Sequence, residues 1–239
     1  MKRIIIVAVA LLGFANGLSA QTLGFMADKE FMSEYIWRGM KNDPVGGPGA
    51  SFDIGLNFTS ADENFYAEAY FWTYQSFHAK PIVGGEKPTD HYSEYQFTFY
   101  AETHGFHLEY NNYFGDMGEL GIGYALPGVV PASLTLYTAL YGDDLNWAET
   151  KHNFSQYLEL AVPYSIGNFE VQATFGALTH ASPYYDNEGG FAINNMMLEA
   201  GYTFELTDWL SLPIKAGFGY SPLYQDLLYY GSAGLSVAF

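Results

Sequence analysis

The stretch LSLPIKAGFG, residues 210–219, alternates at every second position between apolar residues and polar or small ones. Successive side chains of a β-strand point to opposite faces of its sheet, so this pattern predicts a strand with one apolar and one polar face. The apolar face carries Leu210, Leu212, Ile214, Ala216 and Phe218, and the opposite face carries Ser211, Pro213, Lys215, Gly217 and Gly219.

The same alternation recurs along the rest of the chain, and it is less regular in residues 23–40 and 64–76. It predicts about twelve strands, an even number, as single-chain outer-membrane barrels require. No segment after residue 20 is apolar for long enough to form a membrane helix. The predicted strands are 23–40, 52–58, 64–76, 94–101, 106–111, 119–126, 132–141, 154–164, 169–176, 198–204, 210–219 and 229–239.

The connections between the predicted strands differ in length. Short segments such as 59–63 and 165–168 alternate with long ones such as 77–90 and 179–193, whereas 115–118 is short where a long loop is expected. Short periplasmic turns and long extracellular loops are typical of outer-membrane barrels. This pattern would place both chain termini on the periplasmic side.

Both ends of the chain fit the same class. Residues 1–20 have the parts of a secretory signal, with a basic start, an apolar run at Ile4–Leu12 too short to span a membrane, and small residues at the end. The final segment AGLSVAF, 233–239, alternates and stops on phenylalanine, which resembles the C-terminal signature of outer-membrane barrels. We predict a cleaved signal peptide, a single barrel domain over 21–239, and export to the bacterial outer membrane.

The composition and the charge exclude several functions. The formal net charge is -17, so the chain lacks the basic footprint needed to bind nucleic acid or anionic headgroups. The absence of cysteine excludes a disulfide framework. Aromatic residues make up 18% of the chain, which together with 26 glycines favours a membrane barrel over a soluble secreted protein. The predicted partners are therefore outer-membrane lipids and small hydrophilic solutes, and not nucleic acid.

A soluble all-β sandwich or a lipocalin-like barrel is the alternative fold. Its strands would also alternate, but their apolar faces would point inward. The chain has about twelve predicted strands, and nearly every one carries a charged residue on its polar face. This number of strands is larger than one soluble sandwich would use. We therefore predict an all-β fold, a transmembrane antiparallel up-and-down β-barrel of about twelve strands whose apolar faces meet lipid and whose polar faces line the lumen.

Arg38 is the only arginine after residue 20. If its strand keeps phase, Arg38 projects into an acidic lumen and can bridge two carboxylates, while Tyr35 and Trp37 face outward in the interfacial aromatic girdle. A structural ion-pair role is favoured over contact with solute. The predicted lumen-lining residues are Glu34, Arg38, Asp53, Glu68, Tyr70, Trp72, Glu94, Glu109, Tyr137, Glu159, Glu170, Glu199 and Lys215; Glu119 falls on the same polar faces.

Two states of the lumen are open at this point. Inward aromatic residues near Glu68, together with Tyr137 and Tyr141, could stack on a neutral ring or favour a cation, or could pack a narrow lumen. Inward glycines could leave room for water or be overlaid by tyrosines of neighbouring strands. These glycines are Gly55, Gly121, Gly123, Gly176, Gly201, Gly217 and Gly219.

No catalytic, cofactor or metal site is predicted. The chain has no GxSxG motif, and Ser155 lies three residues after His152, which puts the two on opposite faces of a strand. The acidic segments 142–144 and 186–190 lack the spacing of a calcium loop. An outer-membrane lipid-modifying enzyme stays open only through residues that are distant in sequence.

The segments MSEYIWRGM (32–40), GASFDIGLNF (49–58) and NFYAEAYFW (64–72) resemble the start of the TorF-like family of uncharacterised bacterial outer-membrane porins. The chain departs from the family pattern at Glu34, where an aspartate is expected, and at KNDP after the Arg-Gly pair. The resemblance covers about the first quarter of the mature chain and implies a barrel with a transport role, without a substrate or a catalytic residue. The matching positions are Ser33, Tyr35, Trp37, Arg38, Gly39, Met40, Asp53, Phe65, Tyr66 and Ala67.

An acidic, tyrosine-rich lumen predicts a porin-like channel for the passive passage of small hydrophilic solutes, with cations or neutral solutes favoured over anions. The alternative is a closed barrel that acts structurally or presents its acidic loops as a binding surface. No enzymatic activity is predicted, and the oligomeric state is left open.

Overall fold

The computed structural model describes residues 22–43, 46–79, 91–126 and 131–239. Twelve of its strands close into one antiparallel barrel, and two short strands form a separate hairpin. The strands are β1 (Thr22–Met32), β2 (Ile36–Trp37), β3 (Met40–Lys41), β4 (Gly49–Thr59), β5 (Phe65–Ala79), β6 (His91–Thr103), β7 (Phe106–Tyr113), β8 (Met117–Leu126), β9 (Ala132–Gly142), β10 (Gln156–Ile166), β11 (Phe169–Leu178), β12 (Ala192–Thr207), β13 (Leu210–Ser221) and β14 (Asp226–Ala238).

Each barrel strand pairs with its neighbours in the chain, with β1 next to β4, and the sheet is closed where β1 pairs with β14. The register at this seam runs from Met26 opposite Ala238 to Met32 opposite Ser232. Closure removes free strand edges, as a sheet in lipid requires.

Within the described ranges, no helix has the length and apolar character needed to cross a membrane.

The barrel is apolar outside and polar inside. Ile122 and Phe218 are 57% and 62% exposed, whereas Thr98, Asn111 and Glu119 are at most 2% exposed. A soluble barrel would show the reverse, because its apolar side chains would fill the interior. The predicted fold is therefore confirmed: about twelve antiparallel strands whose apolar faces suit lipid and whose ionisable faces are enclosed.

The two ends of the barrel differ. One end, called here the turn end, carries the tight turns and the chain terminus, where the Phe239 ring lies 6.2 Å from Phe25 and 6.0 Å from Trp209. The other end, called here the loop end, carries the longer connections, including 143–155 and 179–191. The predicted signal peptide, most of the predicted 77–90 loop and most of the predicted 127–131 turn lie outside the described residues.

The prediction of a first strand running to residue 40 is wrong. β1 ends at Met32, and the chain then folds into the β2–β3 hairpin instead of continuing along the wall. Consequently Tyr35 and Trp37 do not face lipid: Tyr35 is buried and Trp37 stacks on Tyr185. The strands of a short hairpin alternate with the same two-residue period as a strand of the barrel wall. The sequence pattern of residues 33–40 therefore could not distinguish the two.

The prediction that Tyr141 faces inward is also wrong. A register shift between Gly118 and Glu119 leaves Tyr141 opposite Gly118 and Ala139 opposite Glu119. Leu140 is the extra residue on β9, so the side chains that follow it point to the opposite face from the one that strict alternation predicts. As a result the Tyr141 hydroxyl contacts the Tyr110 hydroxyl at 2.6 Å on the barrel exterior.

Most of the inward glycines lie beneath aromatic rings. A methyl group at Gly121 would overlap the Tyr137 ring, and one at Gly176 would overlap the Tyr157 ring. A methyl group at Gly217 would likewise overlap the Tyr230 ring. Of the two interpretations of these glycines, the structure shows the tyrosine overlay here, so the interior wall is partly filled by rings that lie flat against neighbouring strands.

Asp62 organises the turn between β4 and β5. Its carboxylate accepts hydrogen bonds from the Ser60 hydroxyl at 2.7 Å and the Asn64 amide nitrogen at 2.9 Å. These hydrogen bonds, that of Ser60 first, lower the pKa of Asp62 to about 2. Because the unfolded pKa is about 3.9, the stabilisation is fully present above that pH and is lost as the pH falls through the folded value.

We therefore expect wild type to be more stable than Asp62→Asn at neutral pH, with a difference that shrinks between about pH 4 and about pH 2. Urea unfolding of the two proteins across this pH range measures the difference. A stability difference that stays constant down to the lowest pH would contradict the assignment of the charged carboxylate to this turn.

Candidate functional site: the barrel lumen

Residues 33–43, called here the inner hairpin, cross the interior of the barrel. On one side the Tyr35 hydroxyl donates to Glu94 Oε1 of β6 at 3.3 Å, and the Tyr35 ring lies 4.7 Å from that of Tyr74 on β5. On the other side Asn194 of β12 donates its side-chain amide to the carbonyl of Arg38 at 2.9 Å. Since β5 and β12 lie on opposite sides of the ring of strands, the inner hairpin spans the lumen.

The tip of the inner hairpin has a left-handed backbone. Arg38 has φ 49° and Gly39 has φ 79°, the combination required by the two central residues of a type I′ turn. Glycine adopts such angles at little cost, but arginine does so only when the surroundings hold it there. An ion pair, a hydrogen bond and aromatic rings hold Arg38 in this conformation.

Arg38 forms a two-pronged ion pair with Glu119. Its Nη1 and Nη2 each donate to one carboxylate oxygen at 2.6 Å, and the side chains of Arg38 and Glu119 are 8% and 2% exposed. Nη1 also donates to the Tyr185 hydroxyl at 3.1 Å. Arg38 is therefore enclosed, as the sequence analysis expects. It does not bridge two carboxylates, because both nitrogens bind the single carboxylate of Glu119 in fork geometry.

The carboxylate of Glu119 has two further donors. The Asn111 side-chain amide and the Tyr113 hydroxyl each lie 3.1 Å from its Oε1. The ion pair is therefore embedded in a hydrogen-bonded network, which a buried charged pair needs because desolvation otherwise outweighs its Coulomb attraction.

Three aromatic rings enclose the guanidinium. Its central carbon lies 4.1 Å from the ring centroid of Tyr137 and 4.7 Å from those of Trp37 and Tyr157. Cation–π contacts strengthen when water is excluded. Arg38 is consequently packed against aromatic rings as well as paired with a carboxylate.

Residues of the 179–191 connection pack against the inner hairpin beside Arg38. The Tyr185 ring stacks on Trp37 at 5.7 Å with an interplanar angle of 5°, and the Tyr184 hydroxyl donates to Asp116 at 2.6 Å. Tyr224 donates its hydroxyl to the backbone carbonyl of Tyr185 at 2.7 Å. Burial raises the pKa of the Asp116 carboxyl above its ordinary value, an effect that the Tyr184 hydrogen bond opposes.

A series of polar cavities runs from the turn end toward the inner hairpin, along the side of the lumen formed by β10–β14 and β1. The cavity beside the inner hairpin, called here the inner cavity, has a volume of about 340 Å³ and is lined by Glu159 and Glu199 among others. Glu199 and Lys215 also line the next cavity, and Glu170 and Lys215 the one beyond it. Together these cavities are called the lumenal tract.

The predicted lumen residues fall into two groups. One group lines the lumenal tract: Glu34, Arg38, Asp53, Trp72, Glu159, Glu170, Glu199 and Lys215. The other group, on β5–β9, is packed against neighbouring side chains: Glu68, Tyr70, Glu94, Glu109 and Tyr137.

Hydrogen bonds fix the carboxylates of the second group. Glu68 accepts from the Tyr66 hydroxyl at 2.6 Å, and Glu109 accepts from the Tyr137 hydroxyl at 3.0 Å. Glu94 accepts from the inner hairpin, through the Asn42 amide at 2.8 Å. The carboxylates on this side of the lumen are therefore held by neighbouring side chains, whereas the lumenal tract runs along the opposite side.

Three features of the lumen were missed by the sequence prediction. The pairing of Glu119 with Arg38 joins residues that are far apart in the chain, although both were placed on inward faces. Tyr185 lies in a connection whose inward fold has no periodic signal. Asn195 lines the inner cavity from β12, in a segment that the predicted 198–204 strand did not include.

The residues considered for nucleophilic catalysis do not pair in the described part of the chain. The Ser155 hydroxyl contacts the Asp144 carboxylate and lies 2.5 Å from the Ser182 hydroxyl. His152 Nδ1 is buried without a hydrogen-bond partner among the described residues. The described geometry therefore gives Ser155 no histidine base.

Comparison with solved structures finds outer-membrane barrels. An outer membrane channel from Pseudomonas putida F1 aligns with a TM-score of 0.47 and 12% identity, over 93% of this chain and 96% of that chain. OmpF of Salmonella typhi, in complex with daunomycin, aligns with a TM-score of 0.40 and 11% identity, over 92% of this chain and 97% of that chain. No family model and no curated protein matches the chain.

Proposed function

We propose that this protein is a channel in the outer membrane of a Gram-negative-type bacterium, for the passive passage of small hydrophilic solutes. The observation that carries the proposal is the lumenal tract, a series of polar cavities that share lining residues from the turn end to the inner hairpin. An apolar exterior around a polar, partly open interior suits passage through lipid better than a packed core would.

The charges along the lumenal tract favour cations. Acidic side chains line each of its three cavities, and the cations among the lining residues are Arg38, Lys29 and Lys215. Arg38 is neutralised by Glu119, which leaves an excess of negative charge. A pore lined mainly by carboxylates attracts cations and raises the barrier for anions.

The inner hairpin sets the constriction. It spans the lumen near the loop end, where the rings around Arg38 narrow the lumen on one side and the inner cavity adjoins the hairpin. Solutes that pass must do so beside this hairpin, so we propose that the channel takes small solutes and excludes large ones.

We expect planar bilayers containing the protein to conduct, with a reversal potential in a KCl gradient that shows preference for potassium. Glu170→Gln combined with Glu199→Gln removes two carboxylates from the lumenal tract. The ratio of potassium to chloride permeability should then fall about fivefold, equivalent to about 1 kcal/mol, the scale of one close charge pair in water.

The matched control is Glu149→Gln combined with Glu188→Gln, which removes the same charge from exposed positions at the loop end. This control should keep the wild-type permeability ratio. Chloride preference in wild type would contradict the proposed selectivity, and the absence of conductance at every voltage would contradict the channel.

A second candidate is a closed barrel with a structural or binding role. The enclosure of Arg38 at the loop end favours it, because the ion pair and the surrounding rings leave little space beside the hairpin. Folded protein that does not conduct in bilayers would support this candidate over the channel.

A further inference from the structure

The inner cavity contains a buried acceptor oxygen without a donor among the described residues. Asn195 is 6% exposed, and its amide nitrogen donates to the Tyr157 hydroxyl at 3.2 Å. Its Oδ1 has no hydrogen-bond partner among the described residues, and Asn195 lines this cavity. Buried acceptors without donors are costly, so a ligand that brings donors gains free energy from them.

Two carboxylates of the same cavity are held in place by hydroxyl groups. Glu159 accepts from Tyr157 on Oε2 at 3.0 Å, and Glu199 accepts from Tyr230 on Oε1. The described part of the chain places no donor at the other oxygen of either carboxylate. These oxygens are therefore oriented acceptors with negative charge.

Aromatic rings form another part of the wall of the inner cavity, beside polar, charged and aliphatic side chains. Trp72 and Tyr35 both line it, with ring centroids 5.4 Å apart. Aromatic faces attract organic cations and also cover their hydrocarbon parts.

We infer that the inner cavity binds a small organic ammonium cation. One ammonium group of the ligand donates to Asn195 Oδ1 and to the free oxygen of Glu159, since the two residues lie at the same level of the barrel wall. Glu199 lies further along β12, where its free oxygen accepts from the second ammonium group of a diamine, and the hydrocarbon part of the ligand lies against Trp72. The volume of about 340 Å³ is that of a site for a small molecule. The inference deepens the proposed function, since the cavity is part of the lumenal tract and the ligand would be a preferred solute.

A bare metal ion fits the cavity less well. The described residues contain no group of three acidic or histidine side chains close enough to hold a metal. An ammonium group has three donors, so an amide oxygen and one carboxylate within hydrogen-bond distance of its nitrogen are enough to hold it. The chemistry of the wall therefore selects an organic cation.

Isothermal titration calorimetry on the folded full-length protein in detergent tests the inference with putrescine as the probe. The corresponding butanediol and succinate, which have the same chain length without positive charge, serve as ligand controls, and calcium chloride serves as the metal control. We expect saturable binding of putrescine and weaker or undetectable binding of the three controls.

Glu199→Gln keeps the shape of the side chain and removes its charge. It should weaken putrescine binding about tenfold, which corresponds to the loss of one charge-assisted hydrogen bond. Asn195→Leu, which removes the unpartnered oxygen, should also weaken binding. Glu205→Gln, at the turn end, should leave the affinity unchanged, since Glu205 does not line the inner cavity.

Equal binding of putrescine and butanediol, tighter binding of calcium, or equal loss of affinity in Glu205→Gln and Glu199→Gln would each overturn the inference. Bilayer conductance is measured separately on the same proteins. Conductance without putrescine binding would overturn the ammonium site alone, and putrescine binding without conductance would overturn the channel alone.

Discussion

An Arg38→Ala variant is expected to conduct several-fold more than wild type and to lose about 3–5 kcal/mol of unfolding free energy. The substitution leaves Glu119 buried, charged and without its cation, although Asn111 and Tyr113 still donate to it. It also removes the group that packs against the ring of Tyr137. Because these contacts hold the tip of the inner hairpin, the hairpin should leave its position and widen the lumen.

Urea unfolding in lipid vesicles, followed by tryptophan fluorescence, measures the stability change, and planar bilayers measure the conductance. Arg38→Lys should recover only part of the stability, since lysine cannot form the fork with Glu119. Arg38→Met combined with Glu119→Leu should recover more, because it removes both buried charges together.

The control for Arg38→Ala is Lys41→Ala, which removes another cation of the same hairpin. Lys41 pairs with Asp226 at 2.8 Å, but both side chains are partly exposed. Such pairs contribute about 0–1 kcal/mol, so this variant should resemble wild type in stability and in conductance. Equal effects of Arg38→Ala and Lys41→Ala would show that the enclosed ion pair does not hold the hairpin.

The wall of the barrel could be predicted from the sequence because every wall strand has to satisfy two environments at once. Residues on one face meet lipid and those on the other face the lumen, so segments such as 210–219 and 119–126 alternate strictly and each was placed correctly. The even number of strands and the apolar exterior follow from the same requirement.

The inner hairpin could not be predicted in the same way. Residues 33–40 alternate just as a wall strand does, and the turn at Arg38-Gly39 lacks the Asn-Gly or Asp-Gly pair that usually marks a tight hairpin. What holds Arg38 in its left-handed conformation is Glu119, which is 81 residues away in the chain. A contact at that distance leaves no periodic signal, and the bulge that turns Tyr141 outward leaves none either.

A Gly39→Val variant is expected to displace the inner hairpin for a steric reason, and to raise the conductance as Arg38→Ala does. Gly39 has φ 79°, which a β-branched residue adopts only under strain of about 1–3 kcal/mol. A β-carbon at this position would also overlap the backbone carbonyl of Asn194 on β12. Backbone of a closed barrel cannot move aside as a flexible side chain can, so the hairpin has to move.

Gly115→Val is the matched control for Gly39→Val. Gly115 has φ 85°, close to that of Gly39, but a β-carbon there would meet nothing within 4 Å. This variant bears the same backbone strain without the overlap, so it should lose stability and keep the wild-type conductance. Comparing the two in bilayers separates the strain of the dihedral angle from the closeness of β12.

Gly39→Val and Arg38→Ala act on the same hairpin through different forces. Gly39→Val leaves the charges of Arg38 and Glu119 in the chain, whereas Arg38→Ala leaves the close approach of Gly39 to β12. If the position of the hairpin limits conductance, both variants should therefore raise it, and the double variant should conduct no more than the larger single effect. A Gly39→Val protein that is folded and conducts as wild type does would show that the constriction lies elsewhere in the lumen.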